Sequence, residues 1–343
     1  MKRIVLTGGG TAGHVTPNIA LLPRLKELGY DVHYIGSYNG IEKTLIEGCQ
    51  IPYYGISSGK LRRYFDLKNF SDPFKVLKGF SEASKLLKKL KPDVVFSKGG
   101  FVSVPVVRAA AALKIPCIIH ESDMTPGLAN KLCIPVASKI CCNFPETLQN
   151  LPEDKAVLTG SPIRSELTTG SKLAALELCG FTANKPVVMV IGGSQGASSV
   201  NVMVREALPK LLETFQVVHI CGKDKVDNLM LTIPGYKQFE YIKAELKDLF
   251  AMADIVISRA GANAICELLT LRKPNILIPL TAAASRGDQI LNANSFQTQG
   301  FSYVLDEEEL TNTTLLEAIE HVFRKKDSYI QAMEQSSTRN SID

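Results

Sequence analysis

His14 closes the run Gly8-Gly9-Gly10-Thr11-Ala12-Gly13-His14, which stands directly behind the apolar stretch Ile4-Val5-Leu6. A histidine whose ring faces a cleft can take a proton from a sugar hydroxyl as that hydroxyl attacks, because its unperturbed pKa lies near ~6.5. A histidine that only packs a helix start would read the same way. A second glycine turn, Gly192-Gly193-Ser194-Gln195-Gly196-Ala197, follows Val187-Val188-Met189-Val190-Ile191. Each is a strand that stops in glycines and turns into a helix, so that backbone N–H groups approach a phosphate at the helix N-terminus. Two such turns in one chain predict two similar α/β domains facing one cleft, and favour a nucleotide-linked substrate over a bare metabolite.

A third constellation is Arg259-Ala260-Gly261-Ala262-Asn263-Ala264-Ile265-Cys266-Glu267. It reads as a strand end, a small-residue turn, and a helix that carries Asn263 and Glu267 four apart on one face. A carboxylate placed there can accept both hydroxyls of a ribose while the helix N-terminus faces phosphates. An ordinary helix-surface acid would show the same letter. Gly8-x-Gly10-x-x-Gly13 also matches the dinucleotide fingerprint. That reading further requires an acid at the end of the second strand, where this chain has Tyr34-Ile35-Gly36-Ser37, and the dehydrogenase reading falls with it.

The elements that must position these residues alternate. Strands are expected at Arg3-Thr7, Val32-Ile35, Asp93-Ser97, Pro116-His120, Lys139-Cys142 and Ala156-Leu158, with helices near 17–28, 41–47, 73–90, 104–113 and 128–134. After Thr159-Gly160-Ser161-Pro162 the scheme repeats. Strands are expected at Pro186-Ile191, Gln216-Ile220, Phe239-Tyr241, Ile255-Ser258, Asn275-Ile278 and Ser302-Val304, with helices near 200–213, 246–252, 263–271, 288–299 and from 313. Such alternation predicts parallel sheets with crossover helices. The expected domains are 1–162 and 163–324, and the length of 343 residues supports two.

Hydrophobic residues at 45% and charged residues at 21% suit a soluble protein with real cores. No apolar run reaches the ~18 residues of a membrane span, and the chain opens without a signal-peptide pattern. The eight cysteines are scattered without paired spacing, so reduced thiols and no metal site are expected. No Asp-x-Asp pair is present to hold a divalent ion, and neither a metal nor a cofactor is expected. Charge is uneven. Between Lys60 and Lys91 ten Lys/Arg face three acids, a net +7 against +5 for the whole chain, interleaved with Leu61, Tyr64, Phe65, Phe70, Phe74, Leu77 and Phe80. A basic surface with apolar side chains beside it predicts contact with an anionic membrane face. An amphipathic helix with a solvated lysine face and a core face accounts for part of the same pattern. No nucleic-acid recognition motif is present.

Taken together, Gly9 to His14, Lys98-Gly99-Gly100-Phe101-Val102-Ser103, His120-Glu121-Ser122-Asp123, Gly160-Ser161-Pro162-Ile163-Arg164, Gly192 to Gly196, Arg259 to Glu267, and Asp288-Gln289 with Asn292 resemble the MurG family of peptidoglycan N-acetylglucosaminyltransferases. The resemblance implies an α/β GT-B fold: two Rossmann-like domains with parallel sheets facing a central cleft, and the tail from about 325 returning to the first. It implies inverting transfer of GlcNAc from UDP-GlcNAc to the C4 hydroxyl of lipid I (undecaprenyl-pyrophosphoryl-MurNAc-pentapeptide), making lipid II at the cytoplasmic face of the cell membrane. By the same resemblance His14 assists the acceptor hydroxyl, and Thr11, Ala12 and Gly13 approach the donor. Arg164 and Ser194 contact the donor near its diphosphate, and Ile242 meets uracil through its backbone. Ala262, Asn263, Ala264, Ile265, Cys266 and Glu267 hold diphosphate and ribose, while Gln289 binds the GlcNAc. Asp123, where many relatives carry asparagine, lies in a loop that binds donor or acceptor. The rival readings are a diacylglycerol-type glycosyltransferase, a UDP-GlcNAc 2-epimerase, and a binding-only protein.

Overall fold

The computed structural model describes residues 1–59, 72–193, 196–283, 287–338 and 341–342. Two compact units divide the chain, Met1–Arg164 with the chain end around Ser341, and Ser165–Arg339.

The first unit is built on seven strands, β1 (Arg3–Thr7), β2 (Asp31–Ser37), β3 (Tyr53–Ile56), β4 (Val94–Ser97), β5 (Cys117–Glu121), β6 (Lys139–Cys142) and β7 (Ala156–Leu158). All are parallel, in the order β3-β2-β1-β4-β5-β6-β7. Successive side chains of a strand point to opposite faces, and β1 feeds both. Val5 joins Ile35, Val95, Ile119 and Ile140 under Ala83, Leu87 and Val107 on one face, while Ile4 and Leu6 pack with Val15, Tyr34 and Ile46 on the other. This double burial is why the strand reads as a continuous apolar run.

The second unit repeats the plan with β8 (Val187–Ile191), β9 (Gln216–Ile220), β10 (Tyr236–Phe239), β11 (Ile255–Ser258), β12 (Asn275–Leu277) and β13 (Tyr303–Val304), parallel in the order β10-β9-β8-β11-β12-β13. Its core joins Val188, Val190, Val217, Ile257 and Ile276 to Val204, Leu208 and Leu211 of helix Ser198–Thr214, and to Leu315 and Ile319 of helix Asn312–Arg324.

Three elements differ from the sequence expectation. β3 went unanticipated because Tyr53-Tyr54-Gly55-Ile56 is a short edge strand with a glycine in it, which carries neither an apolar run nor clean alternation. β10 begins three residues earlier than expected, since pairing sets Tyr236 opposite Val217 and Phe239 opposite Ile220. Helix Lys172–Cys179 also went unassigned; Ser171 caps it by accepting from Ala174 N, and Gly180 ends it in the left-handed conformation. Helix Lys326–Glu334 stands in the second unit, where Glu334 pairs with Arg272 at 2.8 Å. Ser341 stands in the first, its hydroxyl donating to the Gly160 carbonyl at 3.1 Å.

Candidate active site

Because every strand of a sheet is parallel, the segments that follow the strands gather at one edge, and each order reverses beside its first strand. In open α/β sheets the crevice for a ligand lies at that carboxyl edge and that reversal. The reversal falls between β1 and β4 in the first unit, and between β8 and β11 in the second.

In the first unit the turn after β1 meets the turn after β4. Gly9 N donates to the Gly99 carbonyl at 3.3 Å. Gly99 and Gly100 hold φ of +89° and +83°, and a Cβ on Gly100 would overlap the Gly9 carbonyl oxygen. Gly100→Ala therefore combines left-handed strain with a backbone collision, and is expected to cost about 3 kcal/mol. Thermal unfolding of the variant checks this, and an unchanged Tm refutes it.

The backbone then makes a short turn at Ala12–His14. Thr11 is exposed, and Ala12, Gly13 and His14 are half-buried. The His14 ring lies with Nδ1 3.1 Å from the Gly9 carbonyl oxygen and 3.0 Å from Thr11 Oγ1. A Cβ on Gly99 would approach His14 Cδ2 at 3.6 Å, so the ring stands over the β4 turn.

Beside this turn lies a buried polar cluster that the sequence did not resolve. Lys98, 1% exposed, reaches His120 Nδ1 at 2.8 Å and Ser122 Oγ at 2.7 Å, and His120 Nε2 lies 2.9 Å from the Gly160 carbonyl. A carbonyl only accepts and an ammonium only donates, so His120 is the neutral tautomer with its proton on Nε2. Burial first, and the Lys98 charge second, hold its pKa well below the ordinary value. His120 therefore holds β5 to the Gly160 segment and is not a titrating acid or base. Glu121 fastens the loop carrying Asp123, its oxygens accepting from Asp123 N at 3.0 Å, Gly127 N at 3.0 Å and Asn130 Nδ2 at 2.8 Å. Asp123 itself is half-buried, and Arg164, half-buried, ends the unit.

In the second unit Gly193, at φ +79°, follows β8, while Ser194 lies outside the described residues. Ile242 stands three residues beyond β10 and is half-buried. Helix Ala262–Thr270 starts just past β11. Asn263, Ala264 and Glu267 lie on its partly accessible face, but Ala262, Ile265 and Cys266 are buried, so these three offer backbone groups and not side chains. The periodicity that put Asn263 and Glu267 on one face thus also turned Ile265 and Cys266 into the core. Gln289, in the first turn of helix Asp288–Thr298, accepts from Leu280 N at 3.2 Å, and buried Asn292 donates to the Ala260 carbonyl at 3.3 Å. These bonds link that helix to the segments following β11 and β12.

Arg259 has a structural task. It pairs with Glu307 at 2.5 Å, bonds Ser199 Oγ at 3.1 Å and donates to the Ile278 carbonyl at 3.1 Å. Burial pushes the Glu307 pKa up, but the bonds from Arg259 and Ser199 outweigh it and hold that carboxyl below its ordinary value. None of the eight cysteines stands in a disulfide among the described residues. Among the described residues no group of three or more His, Cys, Asp or Glu is placed to hold a metal ion.

Two parallel sheets of this order, each with a glycine turn at its reversal, make the GT-B-like fold of nucleotide-sugar enzymes. The chain belongs to glycosyltransferase family 28: the family's N-terminal domain matches residues 4–142 and its C-terminal domain residues 187–343. Within that family it falls with the MurG enzymes. It is 70% identical, over 100% of this chain and 97% of the relative, to the UDP-N-acetylglucosamine--N-acetylmuramyl-(pentapeptide) pyrophosphoryl-undecaprenol N-acetylglucosamine transferase of Lachnoclostridium phytofermentans. The crystal structure of Acinetobacter baumannii MurG is similar at 27% identity and a TM-score of 0.78, covering 100% of this chain and 97% of that one. A UDP-GlcNAc 2-epimerase of Methanocaldococcus jannaschii shares the fold alone, at 14% identity and a TM-score of 0.67, over 100% of this chain and 98% of that one.

Proposed function

We propose that this chain transfers GlcNAc from UDP-GlcNAc to the C4 hydroxyl of lipid I, giving lipid II and UDP. Full-length identity of 70% to a transferase of that name carries the reading. The acceptor oxygen forms a bond to the anomeric carbon as the bond from that carbon to the UDP phosphate oxygen breaks, and the hydroxyl proton passes to His14 Nε2. The diphosphate gains charge as it leaves, so backbone N–H groups at the start of helix Ala262–Thr270, Ser194 and Arg164 lower the barrier by meeting that charge. Glu267 takes the ribose hydroxyls, Gln289 the GlcNAc, and the Ile242 backbone the uracil. Thr11, Ala12 and Gly13 approach the donor from the first unit, and the loop with Asp123 borders donor or acceptor. Labelled GlcNAc supplied as UDP-GlcNAc with a short-chain lipid I analogue tests this. Disaccharide product that depends on acceptor is expected, and donor turnover without acceptor would mark an epimerase instead.

The lipid acceptor requires work at a membrane surface, and the helix Asp72–Leu90 supports a peripheral contact on the cytoplasmic side. Gly79, Ala83, Leu87 and Leu90 face the core, while Phe74, 74% exposed, and Leu77, 67% exposed, share the opposite face with Lys78, Lys85 and Lys88. A helix serving only the core would leave that face polar. The basic stretch 60–71 lies outside the described residues. Among the described residues no helix is long and apolar enough to cross a membrane. Phe74→Ser/Leu77→Ser should weaken binding to anionic vesicles about tenfold or more, as loss of two inserted apolar side chains implies. Sedimentation with and without salt checks this, and undiminished binding would remove the helix from the contact.

A further inference from the structure

Glu42 is fully buried in helix Ile41–Glu47, with its two oxygens divided between two strand ends. Oε2 accepts from Gly10 N at 3.1 Å, in the turn after β1. Oε1 accepts from Ser37 N at 3.0 Å and from the Ser37 hydroxyl, at the end of β2. Space is cut for the carboxyl group. A Cβ on Gly9 would come within 2.5 Å of its carbon, one on Gly36 within 2.9 Å of Cγ, and one on Gly40 would overlap it. A carboxylate taken out of water is costly unless hydrogen-bonded, and here three donors and three glycines accommodate it.

The Gly10 N–H and the Gly9 C=O are the two ends of one trans peptide, so they point in opposite directions. One end donates to Glu42. The other lies 3.1 Å from His14 Nδ1 and can only accept, whereas the Thr11 hydroxyl, 3.0 Å from the same nitrogen, can accept or donate; a proton on Nδ1 satisfies both contacts and leaves the lone pair on Nε2. An anion at the N–H end polarises the amide, adds negative charge to its oxygen and strengthens the bond to His14. Lys98, a further charge beside this turn, reaches away from it to His120 and Ser122.

We propose that Glu42 is a positioning residue of the transfer reaction, acting on His14 through the Gly9–Gly10 peptide: it fixes the tautomer with the proton on Nδ1 and so keeps Nε2 as the proton acceptor. This rests on the reading of His14 as the base.

Glu42→Gln keeps the shape and removes the charge, and it is compared with His14→Ala and with the double variant. In Glu42→Gln, kcat should fall about tenfold, as for partners that orient a reacting histidine. The acidic limb of kcat/KM should move to lower pH by about half a unit, because a charge that favoured imidazolium is gone. The KM for UDP-GlcNAc should stay within about twofold. The double variant should be no slower than His14→Ala alone, since both changes remove one device. An unmoved limb, or effects that multiply in the double variant, would overturn the proposal while leaving His14 as base. Undiminished turnover in His14→Ala would overturn the base reading and the proposal with it. Independently of any folding defect in the glutamine variant, ¹⁵N spectra of the unaltered protein, with the His14 signals assigned by their loss in His14→Ala, should show Nδ1 protonated and Nε2 bare. The opposite tautomer would overturn the proposal.

Discussion

His14→Ala is expected to lower kcat by about 10²- to 10⁴-fold, the usual worth of a positioned general base. Donor affinity should hardly change. The ring is half-buried at the turn after β1, its Nδ1 is held by the Gly9 carbonyl, and Ile242 and Glu267, assigned to uracil and ribose, stand in the second unit. The loss should therefore appear in turnover, as expected when an interaction made chiefly in the transition state is removed. In the unaltered enzyme kcat/KM should decline on the acidic side, as the imidazole takes its proton before the acceptor can supply one. The residual activity of the variant should lack that limb. Steady-state kinetics across pH, beside calorimetry with UDP, decide the matter, and unchanged turnover would remove the base assignment.

Glu267→Ala should instead weaken UDP about 10- to 100-fold, the loss expected when charge-assisted hydrogen bonds worth about 1.5–3 kcal/mol are removed. The carboxylate stands one turn past Asn263 on the partly accessible face of a helix whose first N–H groups look out past β11. Ribose hydroxyls donate and a carboxylate accepts, so Glu267→Gln should retain part of the affinity. The decisive comparison uses UDP and its 2′-deoxy analogue. The unaltered protein should discriminate between them and Glu267→Ala should not, because the group that senses the hydroxyl is gone. Equal affinity of the unaltered protein for both ligands would sink the ribose assignment.

Most of the scaffold was legible because its signals are local. An apolar run that stops in glycine marks a strand buried on both faces and the turn beyond it, and Ile4 to His14 and Val187 to Ala197 each carry that signal within about a dozen residues. Helical periodicity likewise placed Asn263 and Glu267 on one face. The same periodicity, followed to its end, turns Ile265 and Cys266 inward, where only their backbone can serve a ligand. The edge strand β3 escaped because a four-residue segment with a central glycine has no pattern of its own and exists by pairing with β2.

What the sequence by itself determined, then, is most of the order of strands and helices, the two glycine turns, and the face on which Glu267 sits. Only the tertiary structure decided which of the polar residues beside those turns hold the backbone and which face outward. Glu42 lies 32 residues from Gly10, and Lys98 lies 22 from His120. Those pairs meet because β2 lies beside β1 and β5 beside β4. Nothing in the letters near Glu42 distinguishes it from a solvated helix acid, apart from Gly36 and Gly40, whose missing side chains make its pocket. Arg259 follows the same logic, since nothing in the motif that it opens names its partner, Glu307. Secondary structure follows from neighbours along the chain, but the partner of a buried charge is set by strand order, which brings distant segments to one edge of a sheet.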